Sequence, residues 1–176
     1  MSLLRLLPWM FACAMVVFAI VTYDQLPERI PQQFDAAGRA TRLAERSWLS
    51  WGVLPLSACG MLALLQLVSR QLTAHPELFN FPAKAQLLAL PRDAQAPVIA
   101  QMRTFLDVAA LLLVVVLGAA QFTVYQGALG RDTAAVSRVT VAVAVLMAPA
   151  LLVFVVRITR ATERAHAEWV AAQRLA

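Results

Sequence analysis

Apolar and charged positions along the chain fall into blocks. Uncharged, largely apolar runs occupy 6–23, 47–69, 108–130 and 139–156, and the charged residues lie between them. Each run reaches the roughly 18 residues at which a spanning helix becomes plausible. In lipid the backbone must satisfy its own hydrogen bonds, so runs that are apolar on all sides predict helices, and their length excludes a barrel of alternating strands. The pattern therefore predicts an all-α integral membrane protein with four transmembrane helices at about 6–23, 47–69, 105–126 and 139–156. A short extracytoplasmic hairpin-like loop, 26–46, joins the first two spans. The transmembrane domain covers 1–157, and 158–176 form a cytoplasmic helical tail.

The details of the spans refine this reading. Arg5 followed by a long apolar run without a small-residue cleavage site reads as a retained signal anchor. Pro8 is expected in its first turn, and Trp9 and Tyr23 at its two interfaces. In the second span, Pro55 with Gly52, Ser57 and Gly60 predicts a kink and the close approach of a neighbouring helix. Pro76, Pro82, Pro91 and Pro97 break the linker that follows. Within it, 75–82 reads as an extended docked segment. A short amphipathic piece, 83–90, would rest Leu87, Leu88 and Leu90 on the membrane surface, and Pro97 suits the first turn of the next helix.

The third span carries Asp107. It reads either as an interfacial pair with Arg103 four residues earlier or as a functional carboxylate facing the bundle. Gln121 is expected to supply an interhelical hydrogen bond, and Gly118 a close packing point. The fourth span has no breaker at its end and continues as a helix to the C-terminus, with Arg157, Arg160 and Arg164 on one face. That face reads first as an anchor on anionic lipid and second as a docking patch for a soluble partner.

Composition agrees with the pattern. The chain is 61% hydrophobic and 14% charged, with a mean hydropathy of +0.69, against about 45–50% apolar and about 25% charged in soluble proteins. A net charge of +5 spread over loops without interleaved aromatics argues against nucleic acid as a partner. Cys13 and Cys59 lie inside spans without ligand spacing and read as packing residues. Arg5, Arg70, Lys84, Arg92, Arg103, Arg157, Arg160, Arg164 and Arg174 fall on one side of the four spans. Arg29, Arg39, Arg42, Arg46, Arg131 and Arg138 fall on the other. This excess favours cytoplasmic N and C termini and an outward-facing 26–46 loop.

That loop holds the most particular residue choices. Pro27 and Pro31 hold their neighbours extended, so 26–34 should leave the membrane as a stiff strand-like segment with Ile30, Gln32 and Phe34 on one face. Asp35 and Gly38 match a type I turn followed by a left-handed glycine. The polar segment that follows returns the chain to Arg46. Such a hairpin is either a compact cap over the bundle or a recognition element in which Gln33, Asp35 and Arg46 line a polar pocket for a peptide, a lipid headgroup or an ion. The sequence contains no metalloprotease, nucleophile-elbow or phosphate-loop motif, and its two histidines lie outside the spans. No enzyme, metal site or cofactor is expected.

The residues Leu26-Pro27-x-x-Ile30-Pro31-x-Gln33-Phe34-x-x-x-Gly38, with Arg46 eight residues on, resemble the signature of the bacterial domain-of-unknown-function 1648 membrane family. That signature has His and Lys where this chain has Gln33 and Arg46. Arg46 keeps the charge, but an amide at 33 cannot take over a titrating or metal-binding role. The resemblance implies a bacterial inner-membrane protein with toxin-immunity or signalling function, and a peptide toxin or another membrane protein as partner. Readings from other classes are a small scaffold subunit of a larger complex and a transporter or channel using Asp107.

Overall fold

The computed structural model of the chain describes residues 3–35, 39–78 and 80–175. Helix α1 is Leu3–Thr22, extended by a 3-10 turn at Tyr23–Gln25. Strands β1, Arg29–Phe34, and β2, Ala40–Glu45, lead to helix α2 at Trp48–Ala74. A 3-10 turn at Pro76–Leu78 precedes helices α3, Lys84–Ala89, α4, Arg92–Ala128, and α5, Ala134–Leu175. Four of the helices are long and apolar enough to cross a membrane: α1 with its terminal turn, α2, α4 and α5. The chain divides into two compact units, one of Met1–Ala63 with Ala109–Met147 and the other of Leu64–Val108 with Ala148–Ala176. Helices α2, α4 and α5 each contribute residues to both.

Two prolines stand deeper in their helices than the sequence suggests. Helix α1 is already under way at Leu3 and α4 begins at Arg92, so Pro8 and Pro97 occupy second turns rather than first. For α4 the reason lies at Pro91, whose carbonyl accepts from the N–H of both Ala94 and Gln95 and so starts the helix early. Pro97 then withholds a donor only from the Asp93 carbonyl, on an exposed turn.

The second unit has its own core of Leu72, Leu87, Leu90, Val98, Ile99, Met102 and Ile158, with Phe81, Phe154 and Trp169 packed against it. Leu87 and Leu90 of α3 and the residue after it are therefore buried in protein, not spread on a membrane surface; Leu88 alone of the three is exposed. The segment expected to run extended from His75 instead turns. The His75 N–H bonds to the Gln71 carbonyl, continuing α2 by one residue, and Pro76 is buried at the start of the 3-10 turn. There Glu77 has its carboxyl held below the usual carboxylate range, first by a backbone N–H and then by His75 at 3.1 Å.

In the first unit, close helix approach occurs at Gly118, as expected, but not at Gly60. A Cβ at Gly60 would meet nothing within 4 Å, whereas one at Gly118 would touch the Met15 side chain at 3.6 Å. Gln121, 1% exposed, donates from Nε2 to the Met15 carbonyl at 3.4 Å, a long interhelical hydrogen bond one turn away. Small residues let α1 and α4 approach here, and the glutamine adds a weak polar tie.

Candidate functional site

The site is built on the hairpin of β1 and β2, which are antiparallel with Arg29 opposite Glu45, Ile30 opposite Ala44 and Pro31 opposite Leu43. An isolated two-stranded hairpin is marginal in water, so its stability must come from docking. Leu26 and Ile30 supply it. Both are buried with Ala19 and Trp51 in a core bordered by Phe18, Tyr23, Val124, Tyr125 and Ala128. Trp51 donates from Nε1 to the Ala19 carbonyl at 2.8 Å, tying α2 to α1 under the hairpin. Phe18 packs edge-on against Tyr125 at 5.2 Å, and the Tyr125 hydroxyl donates to Gln25 Oε1 at 2.6 Å. Tyr23, expected at the interface, stacks on Trp48 at 3.8 Å.

Register explains how Pro31 fits into a strand. The Arg46 N–H bonds to the Glu28 carbonyl at 2.7 Å, which makes Glu28 and Arg46 a hydrogen-bonded pair. Antiparallel pairs alternate, so Pro31 and Leu43 form a non-hydrogen-bonded pair and the missing proline donor faces away from β2. The pairing then shifts between Pro31 and Gln33, and again before Phe34. This irregularity breaks the single-face alternation expected of Ile30, Gln32 and Phe34: Ile30 and Pro31 are both buried, and Gln32 reaches from Nε2 to the Ser50 carbonyl at 3.2 Å.

At the hairpin tip, the Asp35 N–H donates to the Arg39 carbonyl, and the Asp35 carboxylate accepts from the Arg39 N–H and from Arg39 Nε at 2.8 Å. The turn expected at Gly38 lies outside the described residues. At the base, Arg46 Nη1 donates to the Leu26 carbonyl at 2.7 Å, and its guanidinium lies over the Tyr23 ring at 5.3 Å. Asp35 and Arg46 thus stand at opposite ends of the strands, seven residues of extended chain or roughly 20 Å apart. Gln33 is exposed opposite Arg42, and Pro27 is exposed before β1. The pocket expected from Gln33, Asp35 and Arg46 together does not form, because each residue is taken up at a different level of the hairpin.

A different pocket forms beside the tip. It holds about 290 Å³ and is lined by Phe34, Arg39, Ala40, Gly127, Gly130, Arg131, Asp132 and Thr133. Its floor is a close contact, since a Cβ at Gly127 would lie 2.9 Å from Phe34 Cε1 and 3.5 Å from Pro31 Cγ. Its far wall is the α4–α5 connection. Arg131 N–H bonds to the Gln126 carbonyl and Gly130 N–H to the Gly127 carbonyl, a Schellman end with Gly130 at a φ of 70°. Asp132 Oδ1 accepts from the Ala134 N–H and opens α5. Arg131 and Asp132 were not singled out in the sequence; the Asp-Thr pair ahead of a long apolar run was their one local signal.

The hairpin's second end is fixed by a reciprocal cap. Ser47 Oγ accepts from the Ser50 N–H and Ser50 Oγ from the Ser47 N–H, at 3.0 and 2.9 Å, a capping box with serine in the glutamate position. Ser50 Oγ also donates to the Glu45 carbonyl at 2.8 Å, so the same hydroxyl joins β2 to α2. Ser47→Ala is expected to destabilise the protein by about 1 kcal/mol, read as a lower midpoint in detergent unfolding.

The remaining candidate residues belong to the second unit. Asp107 is buried on α4 in the second unit, while the neighbouring Arg103 has its Nε buried without a hydrogen-bond partner. Arg157, Arg160 and Arg164 are exposed on α5, also in the second unit. No curated protein and no solved structure matches the chain. Residues 10–56, which comprise most of α1, the whole hairpin and the first turns of α2, match the family model described as a domain of unknown function, DUF1648.

Proposed function

We propose that this chain is a non-enzymatic membrane protein of a bacterial inner membrane, with both termini cytoplasmic and a hairpin that recognises an extended peptide outside. On this reading it confers immunity to a secreted toxin or senses a peptide signal. The observation that carries the reading is the free edge of β2. Among the described residues the sheet has two strands, and the Pro31–Leu43 register turns the Leu43 N–H and carbonyl away from β1. Leu43 is 54% exposed beside that edge. An unpaired edge on a hairpin already fixed by buried Leu26 and Ile30 is a preformed template for strand addition, so little ordering cost remains for a peptide to meet. Arg39, Arg131 and Asp132 around the adjoining pocket supply charges that can select among peptides.

The test is loss of the gene followed by challenge with a panel of secreted antimicrobial peptides. The proposal expects hypersensitivity to at least one of them, restored by the intact chain. Unchanged sensitivity across the panel removes the immunity reading.

A further inference from the structure

We propose that the second unit holds a binding groove for one anionic phospholipid, between α4 and α5. The groove encloses about 770 Å³, and among the described residues lining it are Phe105, Val108 and Phe154 on its apolar side and Arg157, Arg160 and Arg164 on its charged side. Phe105 and Phe154 stack at 3.6 Å and 8°, which makes a flat apolar wall rather than a loose set of side chains. No aspartate or glutamate lines the groove, and none of the three arginines joins an ion pair among the described residues.

The polarity is ordered along the helices in the way a phospholipid is. The uncharged run of α4 begins at Val108 and that of α5 ends at Val156, so on both helices the apolar stretch stops at this groove. Arg157 to Arg164 then rise about 10 Å along α5, somewhat more than the roughly 5–8 Å that a headgroup layer adds on each side of the hydrocarbon core. Acyl chain would lie on Phe105, Val108 and Phe154, and the phosphate would meet guanidinium groups that can donate two hydrogen bonds at once. Exposed arginines alone would give only diffuse attraction to a negative surface; the stacked apolar wall beside them makes a site that holds a single lipid.

Native mass spectrometry of the detergent-purified full chain, with added phosphatidylglycerol or phosphatidylcholine, tests this. One saturable phosphatidylglycerol is expected, held at least tenfold more tightly than phosphatidylcholine and not displaced by millimolar inorganic phosphate. The combined Arg157→Gln, Arg160→Gln and Arg164→Gln variant should lose that preference. The combined Arg70→Gln, Arg138→Gln and Arg174→Gln variant, with the same charge removed elsewhere, should keep it. Equal binding of the two lipids, equal losses in the two variants or displacement by free phosphate would each overturn the proposal. Circular dichroism verifies that both variants remain helical, which is expected because all three groove arginines are exposed.

Discussion

Trp51→Ala is expected to lower the stability of the first unit by about 2–4 kcal/mol, the largest effect of any single truncation near the hairpin. Trp51 is 1% exposed, so removing its ring opens a cavity bordered by Phe18, Tyr125, Leu26 and Ile30, and it also removes the tie to the Ala19 carbonyl. The range sits below the top of the about 3–5 kcal/mol seen for large aromatic truncations in aqueous cores, because part of this site stays in lipid or detergent on unfolding and gains less from burial. Trp51→Phe is the smaller change. It keeps a ring against Phe18 but loses the indole donor together with part of the buried ring, for which about 1–2 kcal/mol is expected. Reversible unfolding in mixed micelles measures both variants, and equal losses would assign the whole effect to what the indole has beyond a phenyl ring.

Gly127→Ala should displace the hairpin without disrupting α4. In an exposed helix interior this substitution stabilises by up to about 1 kcal/mol, so helix propensity opposes any loss. Here the added Cβ would lie 2.9 Å from Phe34 Cε1 and 3.0 Å from Cζ, closer than carbon atoms pack. Relief requires the Phe34 ring to move, whereas Pro31 Cγ, at 3.5 Å, is in ordinary contact with the added atom. A net destabilisation of about 1–2 kcal/mol is expected, with faster amide exchange in β1 and unchanged exchange in the body of α4. Phe34→Leu should suppress most of the defect. A pair of substitutions whose effects simply add would show that the contact is not the cause.

Much of the architecture was legible in the sequence because membrane helices are specified by run length. The four uncharged runs needed no knowledge of tertiary contacts, and α5 continued into the tail because nothing between Arg157 and Leu175 interrupts a helix. The hairpin was legible from Pro27, Pro31 and Asp35, whose backbone preferences act locally. The docking of that hairpin was not. Phe34 and Pro31 rest on Gly127, and no local pattern links residues so far apart. Gly52 and Gly60 look as suited to close approach as Gly118 and Gly127 until the partner helices are in place. The same limit explains Leu87 and Leu90. An amphipathic segment announces that it has an apolar face, but protein and membrane cover such a face equally well.

The motif itself reads differently once its neighbours are known. Leu26 and Ile30 are core residues, Pro31 is placed where a strand can spare a donor, Phe34 contacts the end of α4, and Arg46 closes the base on the Leu26 carbonyl. These residues build and seat the hairpin. Gln33 stands exposed on β1 opposite Arg42, so the position where the resembling signature has histidine is not part of that seat.

The edge itself is tested most directly by comparing Leu43→Pro with Leu43→Ala in cells that lack the native copy and are challenged with a peptide against which the intact chain protects. Proline at 43 removes an N–H that points away from β1, so the hairpin keeps its own ladder and loses only the donor offered to an added strand. Strand addition predicts that Leu43→Ala protects nearly as well as the intact chain, while Leu43→Pro, present at the same level in the membrane, fails to protect. Full protection by Leu43→Pro would contradict it.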